Sequence, residues 1–193
     1  MLQSGEKVIY GTHGVCSISG TESVVAGGKS RLYYVLQPIH QDGSRYLIPT
    51  DNSAALLRLI PLISAKEWEE LLVSPKVRSG SWISDENQRK QSYKELTAHG
   101  SRTELLAALA VLYDLRKAQK EKGRKLHICD DIFLRDTEKM LAEEIADVFE
   151  LDIENAKRYL QNKLKEWITA VKLERNYTKN EIVTMYLNSI FFG

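Results

Sequence analysis

The spacing of apolar residues changes character once along the chain. Through residue 60 it is close to two: Val8 and Tyr10 project to one face and Ile9 to the other. Val15-Cys16-Ser17-Ile18 and Arg31-Leu32-Tyr33-Tyr34-Val35-Leu36 continue in β-branched and aromatic residues. Arg45-Tyr46-Leu47-Ile48 is a further strand stopped by Pro49, and Leu57–Ile60 is a possible last one. Gly11 and Gly14 bracket a kink between the first two strands, while Val24–Gly28 and the Asp42-Gly43 pair supply turns. Four or five short strands in sixty residues predict a small antiparallel β-barrel.

From Pro61 the period lengthens to about 3.6 residues, the signature of a helix packed on one side. Ser64-Ala65-Lys66-Glu67 and Ser101-Arg102-Thr103-Glu104 are capping boxes, each opening a helix. The first helix carries Trp68 and Leu72 on one side and ends before Ser74-Pro75; residues 78–81 read as a flexible link. A polar helix over 85–97 stops at His99-Gly100. The second boxed helix aligns Leu105, Ala108, Leu109, Leu112 and Leu115 and closes at Lys120–Gly123. Another helix runs from about Asp131, with Leu134, Leu141, Ile145 and Val148 inward. Asp152 caps one bearing Ile153, Ala156, Leu160 and Leu164, and Thr178–Glu181 is a third capping box for a helix to Asn188. The predicted class is α+β, with a β-domain at 1–60, a helical domain at 61–165 and a helical tail at 166–193.

Net charge is +1, so no global field selects nucleic acid or a membrane. Local charge is uneven: between Lys76 and Lys125 twelve basic residues face six acids, whereas between Asp130 and Glu154 ten acids face only Arg135 and Lys139. A basic middle can meet phosphates. Cys16 and Cys129 stand far apart without a C-x-x-C pair, which fits reduced thiols in a cytosolic protein. No apolar run is long enough for a membrane span. The four histidines share no metal spacing, and His127-Ile128-Cys129-Asp130-Asp131 reads as a chance cluster, so neither metal nor cofactor is expected. Phosphate loop, nucleophile elbow and dinucleotide fingerprint are all missing, and the residues point to binding rather than catalysis.

Gly5, Glu6, Val8, Ile9, Tyr10, His13 and Gly14, followed by Tyr33-Tyr34-Val35-Leu36-Gln37-Pro38 and Ile48-Pro49, resemble the opening of the CarD/CdnL family of bacterial transcription regulators. Its Tudor-like N-terminal domain is shared with the transcription-repair coupling factor. Trp82-Ile83, Tyr93-Lys94-Glu95, Glu104-Leu105-Leu106, Leu112–Leu115, Gly123–Leu126 and Glu138–Ala146 extend the resemblance to about Leu164. The resemblance implies a β-domain docked on the RNA polymerase β subunit by a strand edge, here lined by Arg31, Tyr33, Arg45, Leu47 and Pro49. Relatives often carry a basic residue directly before the Val/Ile-Pro pair; this chain has Leu47 there and Arg45 two positions earlier.

The resemblance also implies that the helical domain contacts promoter DNA and alters open-complex stability. The family's wedge tryptophan precedes a Tyr-Lys pair by four residues; Tyr93-Lys94 places Arg89 there, with Trp82 seven residues further back. Trp82 reads more naturally as a core anchor but stays beside Arg89 as a candidate DNA-binding residue at the bubble edge, while Arg89, Lys90, Lys94 and Arg102 are the candidate phosphate contacts.

Lys163, Glu166 and Ala170, then Tyr177-Thr178-Lys179, Glu181-Ile182, Tyr186-Leu187-Asn188 and Phe192-Gly193, resemble instead the glycosyltransferase domain of bifunctional penicillin-binding proteins. Glu166 would match that family's second acidic residue, but the stretch carrying its first catalytic glutamate has no counterpart here. Three readings follow: a monomeric, non-enzymatic, cytoplasmic regulator of transcription; a Tudor-like protein-interaction module without a DNA role; or a peptidoglycan glycosyltransferase fragment. On the first, the tail beyond Lys165 is dispensable for regulation.

Overall fold

The computed structural model describes residues 2–26, 29–40, 43–74 and 80–191. The turns around Gly27-Gly28 and Gln41-Asp42, the cations Lys76 and Arg78, the first half of the expected link at 78–81, and the closing Phe192-Gly193 lie outside them.

Five strands, β1 (Lys7–Tyr10), β2 (Val15–Ala26), β3 (Lys29–Pro38), β4 (Tyr46–Pro49) and β5 (Leu59–Pro61), form one antiparallel sheet in the order β4-β3-β2-β1-β5. The sheet is not closed: β4 and β5 are opposite edges, which corrects the expected barrel. The strand expected at Val15–Ile18 is the first third of a twelve-residue β2. Its register with β3 slips between Ile18 and Gly20, where φ reaches 142°. That bulge lets a long strand bend without breaking. Val8, Cys16, Ile18, Tyr34, Leu36, Ile48 and Leu59 fill the core of this part. A short helix, α1 (Ser53–Leu56), capped by Asn52, precedes β5 and was not anticipated.

The helices are α2 (Ala65–Val73), α3 (Glu86–His99), α4 (Arg102–Glu121), α5 (Ile128–Val148), α6 (Ile153–Asn176) and α7 (Lys179–Phe191). Ser64, Ser101 and Asp152 accept the backbone bonds foreseen for them, both capping boxes close, and Asp85, expected as the first residue of its helix, caps it instead. Thr178 and Glu181 exchange the corresponding bonds at the start of α7. Helix α5 begins three residues before the expected Asp131 because His127 serves as its cap, accepting from the Cys129 amide through Nδ1. No described helix is long and apolar enough to cross a membrane.

The two halves share one core. Ile9 and Val15 from the sheet join Trp68, Leu72, Leu109, Leu141, Ile145 and Leu164 in a single cluster. Trp167 belongs to it as well: its indole N–H donates to the Leu72 carbonyl at 2.8 Å. Helix α6 therefore runs unbroken through the boundary expected at residue 165, and a cut after Lys165 would remove a buried tryptophan. Residues beyond Trp167 differ, since Val183, Met185 and Leu187 on α7 are all exposed.

Both thiols are free. Burial, with the Glu143 carboxylate beside it, pushes the Cys16 thiol up to about 11. Reaction depends on the thiolate, so Cys16 is protected both by burial and by its protonation at pH 8. A thiol-reactive chromophore at pH 8 is expected to label the folded protein only at Cys129, with the second equivalent appearing on unfolding. Rapid labelling of Cys16 in the folded state would contradict this packing.

Candidate functional site

The first candidate surface is the β4 edge. β4 hydrogen-bonds on one side only, to β3, with Tyr33 opposite Pro49 and Val35 opposite Leu47. Its other side carries unpaired backbone groups, the arrangement an incoming strand can extend. Leu47 and Pro49 lie in this strand, Tyr33 and Arg31 in its neighbour, and Arg45 directly before it. Two exposed ion pairs flank the edge: Arg45 with Glu22 at 3.1 Å and Arg31 with Asp51 at 2.8 Å. Hydrogen bonding to Arg31 lowers the Asp51 carboxyl from its ordinary value, so that pair is charged at neutral pH. The structure thus brings all five residues of the expected edge to one side of the sheet.

A second cluster lies by the kink. His13 packs between Tyr10 and Tyr46, with ring centroids 5.2 and 4.2 Å away, and the Arg58 guanidinium sits over the Tyr10 ring. Burial, then Arg58 and Lys139, lowers the His13 pKa, so its ring is neutral at pH 7. His13 is therefore a packing residue of the kink.

Two adjacent glutamates of α5 tie the sheet to the helices, Glu143 at the kink and Glu144 just beyond β5. Glu143 accepts from the Val15 amide at 3.2 Å and approaches Lys139. A Cβ placed on Gly14 would lie 1.6 Å from Glu143 Oε2, and Gly14 has φ 74° and ψ −150°, a region essentially reserved for glycine. Glu144, fully buried, accepts from the Ile63 amide at 3.1 Å and takes both an Nε and an Nη bond from Arg102. Arg102 also donates to the Pro61 carbonyl at 2.7 Å. The arginine expected to meet phosphate instead ties β5 and α4 to α5.

Arg89 is likewise placed in the interior, not on the surface. It is 6% exposed, and its guanidinium donates to Asp130 at 2.7 and 3.3 Å and to the carbonyls of Ile83 and Ser84. Tyr93 adds a hydroxyl bond to Asp130 at 3.0 Å. Four of the five guanidinium donors are thereby engaged within the protein. Trp82, expected in the core, is 42% exposed instead. Its indole lies under the Arg89 guanidinium, 4.4 Å from the ring centroid, and Gly80 lets the chain leading to it approach α4 closely. A Cβ on Gly80 would meet the Ala107 carbonyl at 2.6 Å, so glycine sets that approach. The buried arginine orients an exposed indole. Lys90 and Lys94 are exposed on α3, Lys90 paired with Glu86.

Among the described residues His127, Cys129 and Asp130 are the one group whose ligand atoms gather, all within 4.8 Å. Asp130 is already committed to Arg89 and Tyr93, and Cys129 Sγ lies 3.1 Å from His127 Nδ1. The arrangement serves the start of α5 and leaves few lone pairs for a cation. Glu166 is exposed on α6 and paired with Lys163 at 2.9 Å.

Sequence reasoning missed Glu143, Glu144 and Asp130 as organising groups. The one signal it had was the match of Glu138–Ala146 to a family pattern, which gave no partner for either glutamate.

Residues 2–60 match the CarD-like/TRCF RID domain, and residues 143–193 match the Transglycosylase family. No curated protein matches the chain. The first match likens the sheet to a transcription-related domain of the RNA polymerase-interacting kind. The second begins at Glu143, inside α5, and covers the rest of α5, α6 and α7.

Proposed function

We propose that this protein regulates transcription without being an enzyme, docking on the RNA polymerase β subunit through the β4 edge and presenting its helical part to promoter DNA. The observation that carries the reading is the open β4 edge within a domain that matches an RNA polymerase-interacting family. Strand addition there supplies main-chain bonds, while Arg45, Leu47 and Pro49 supply the side-chain contacts. Arg45→Glu is expected to reduce capture of the isolated β subunit by about tenfold, since a like charge replaces an attractive one at the rim. The variant should melt as the parent does, because the Arg45–Glu22 pair is exposed and such pairs contribute little. Undiminished capture by the folded variant would contradict the docking mode.

For DNA, the exposed Trp82 is the apolar group offered outward, supported from behind by Arg89 and flanked by Lys90 and Lys94. Removing Lys94 should lower the slope of log affinity against log salt by about one unit, as expected for one phosphate contact. Trp82→Ala should shorten open-complex lifetime while leaving that slope unchanged, because an indole contributes no counterion release. Equal slopes for parent and Lys94→Ala would remove Lys94 from the interface.

The alternative of a glycosyltransferase activity rests on the segment from the end of α5 through α7 alone. Transfer at a glycosidic centre needs two carboxylates acting together, and Glu166 stands in this sequence without the stretch that carries the first.

A further inference from the structure

Among the described residues a group of cations without a carboxylate partner gathers where α4 ends and α5 begins. Arg116, Lys117 and Lys120 end α4, and Lys122, Arg124 and Lys125 follow in the connection to α5. None of these six is in ion-pair contact with a carboxylate among the described residues, whereas Arg31, Arg45, Arg89, Lys90 and Arg102 each have one. The Arg116 guanidinium lies over the Tyr113 ring at 4.4 Å, which fixes it without cancelling its charge. Four of the cations, Arg116, Lys120, Arg124 and Lys125, line one cavity of about 500 Å³. Leu126 and Ile128 supply its apolar wall, and Ile128 is 72% exposed although it is a large hydrophobic side chain. Asp131 is the single carboxylate in the lining.

We propose that this cavity between the end of α4 and the start of α5 binds a free nucleoside polyphosphate. Its volume lies within the range of small-ligand pockets, roughly 300–1,000 Å³. Four cations match the three or four charges of a triphosphate or longer chain, and two of them are arginines able to grip phosphate oxygens in pairs. The nucleoside lies against Leu126 and Ile128. Asp131 repels phosphate but accepts hydrogen bonds from ribose hydroxyls, so it sets the direction of the ligand and separates a nucleotide from a bare anion. A DNA duplex presents the same phosphates, but its deoxyribose backbone offers no sugar hydroxyl to Asp131 and meets the cations along a line instead of within a cavity. The site does not use the β4 edge or Trp82, and its occupancy is independent of polymerase docking.

The test is calorimetric titration of the whole chain, without magnesium, with GTP, ATP, GMP, tripolyphosphate and a 25-base-pair duplex. The triphosphates are expected to bind at least about 30-fold more tightly than GMP, as two lost phosphates remove several charge-assisted bonds. Arg124→Ala with Lys125→Ala should weaken triphosphate binding by about 30-fold or more, and both positions are exposed, so the fold should survive. Asp131→Asn should weaken the triphosphates about fivefold and leave tripolyphosphate unchanged or tighter. Capture of the polymerase β subunit, measured on the same variants, should not change, so failure of this site and failure of the docking reading are separately visible. The proposal is overturned if the triphosphates do not bind. It is equally overturned if tripolyphosphate matches GTP and Asp131→Asn affects them alike, which would mark a general anion patch. Binding of the duplex through Arg124 and Lys125, with GTP unable to compete, would assign the cavity to nucleic acid instead.

Discussion

Gly14→Ala is expected to destabilise the protein by about 4 kcal/mol, the sum of a glycine-only backbone conformation and a disrupted bond to a buried carboxylate. The added methyl would sit 1.6 Å from Glu143 Oε2, so the carboxylate must leave the Val15 amide or the kink must unwind. Either movement separates Ile9 and Val15 from the helical core they share with Leu141 and Ile145. For a chain of this size the melting temperature should fall by roughly 10 °C. Gly11 also has a positive φ, but nothing crowds its missing Cβ, so Gly11→Ala should cost clearly less. Similar melting temperatures for the two variants would show that Glu143 does not hold the kink.

Arg89→Ala should cost about 3 kcal/mol, because it leaves the Asp130 carboxylate buried without its counter-charge. The figure is taken at the lower end of the range since a cavity of about 290 Å³, lined in part by Arg89 and Trp82, lets water approach the pair. The side chain also orients Trp82, so the variant should broaden the indole environment and shift its fluorescence. Arg89→Lys keeps a charge but loses the two-pronged contact, and it should recover only part of the stability. A loss below about 1 kcal/mol in urea unfolding would place Arg89 among the exposed pairs and reopen a role for it at phosphate.

The sequence disclosed what is decided locally. Ser64, Ser101 and Asp152 were legible as caps because the bonds they accept come from amides three residues away. The strand before Pro49 was legible for the same reason, period two and then a proline that ends it, whereas its place at an edge was implied only by the family resemblance. What escaped depends on partners distant in the chain. Arg89 and Asp130 are 41 positions apart and Val15 and Glu143 are 128 apart, and no spacing rule links such residues. A run of basic residues therefore read as one surface, although Arg89 and Arg102 turn inward while Arg116 to Lys125 face out. The sheet's openness escaped for a related reason, since strand count alone does not decide whether β4 and β5 meet. Trp167 escaped because its family resemblance ends one core and begins another pattern, while α6 carries both without a break.

The docking edge is tested most directly by backbone hydrogen exchange on the whole chain, with and without the RNA polymerase β subunit. Strand addition pairs the Leu47 amide, which faces outward because Thr50 N–H donates to β3 and amides alternate along a strand, so protection should rise at Leu47 and remain unchanged in β5 at the opposite edge. Protection confined to α3 or α4, with β4 exchanging as in the free protein, would contradict docking through the sheet.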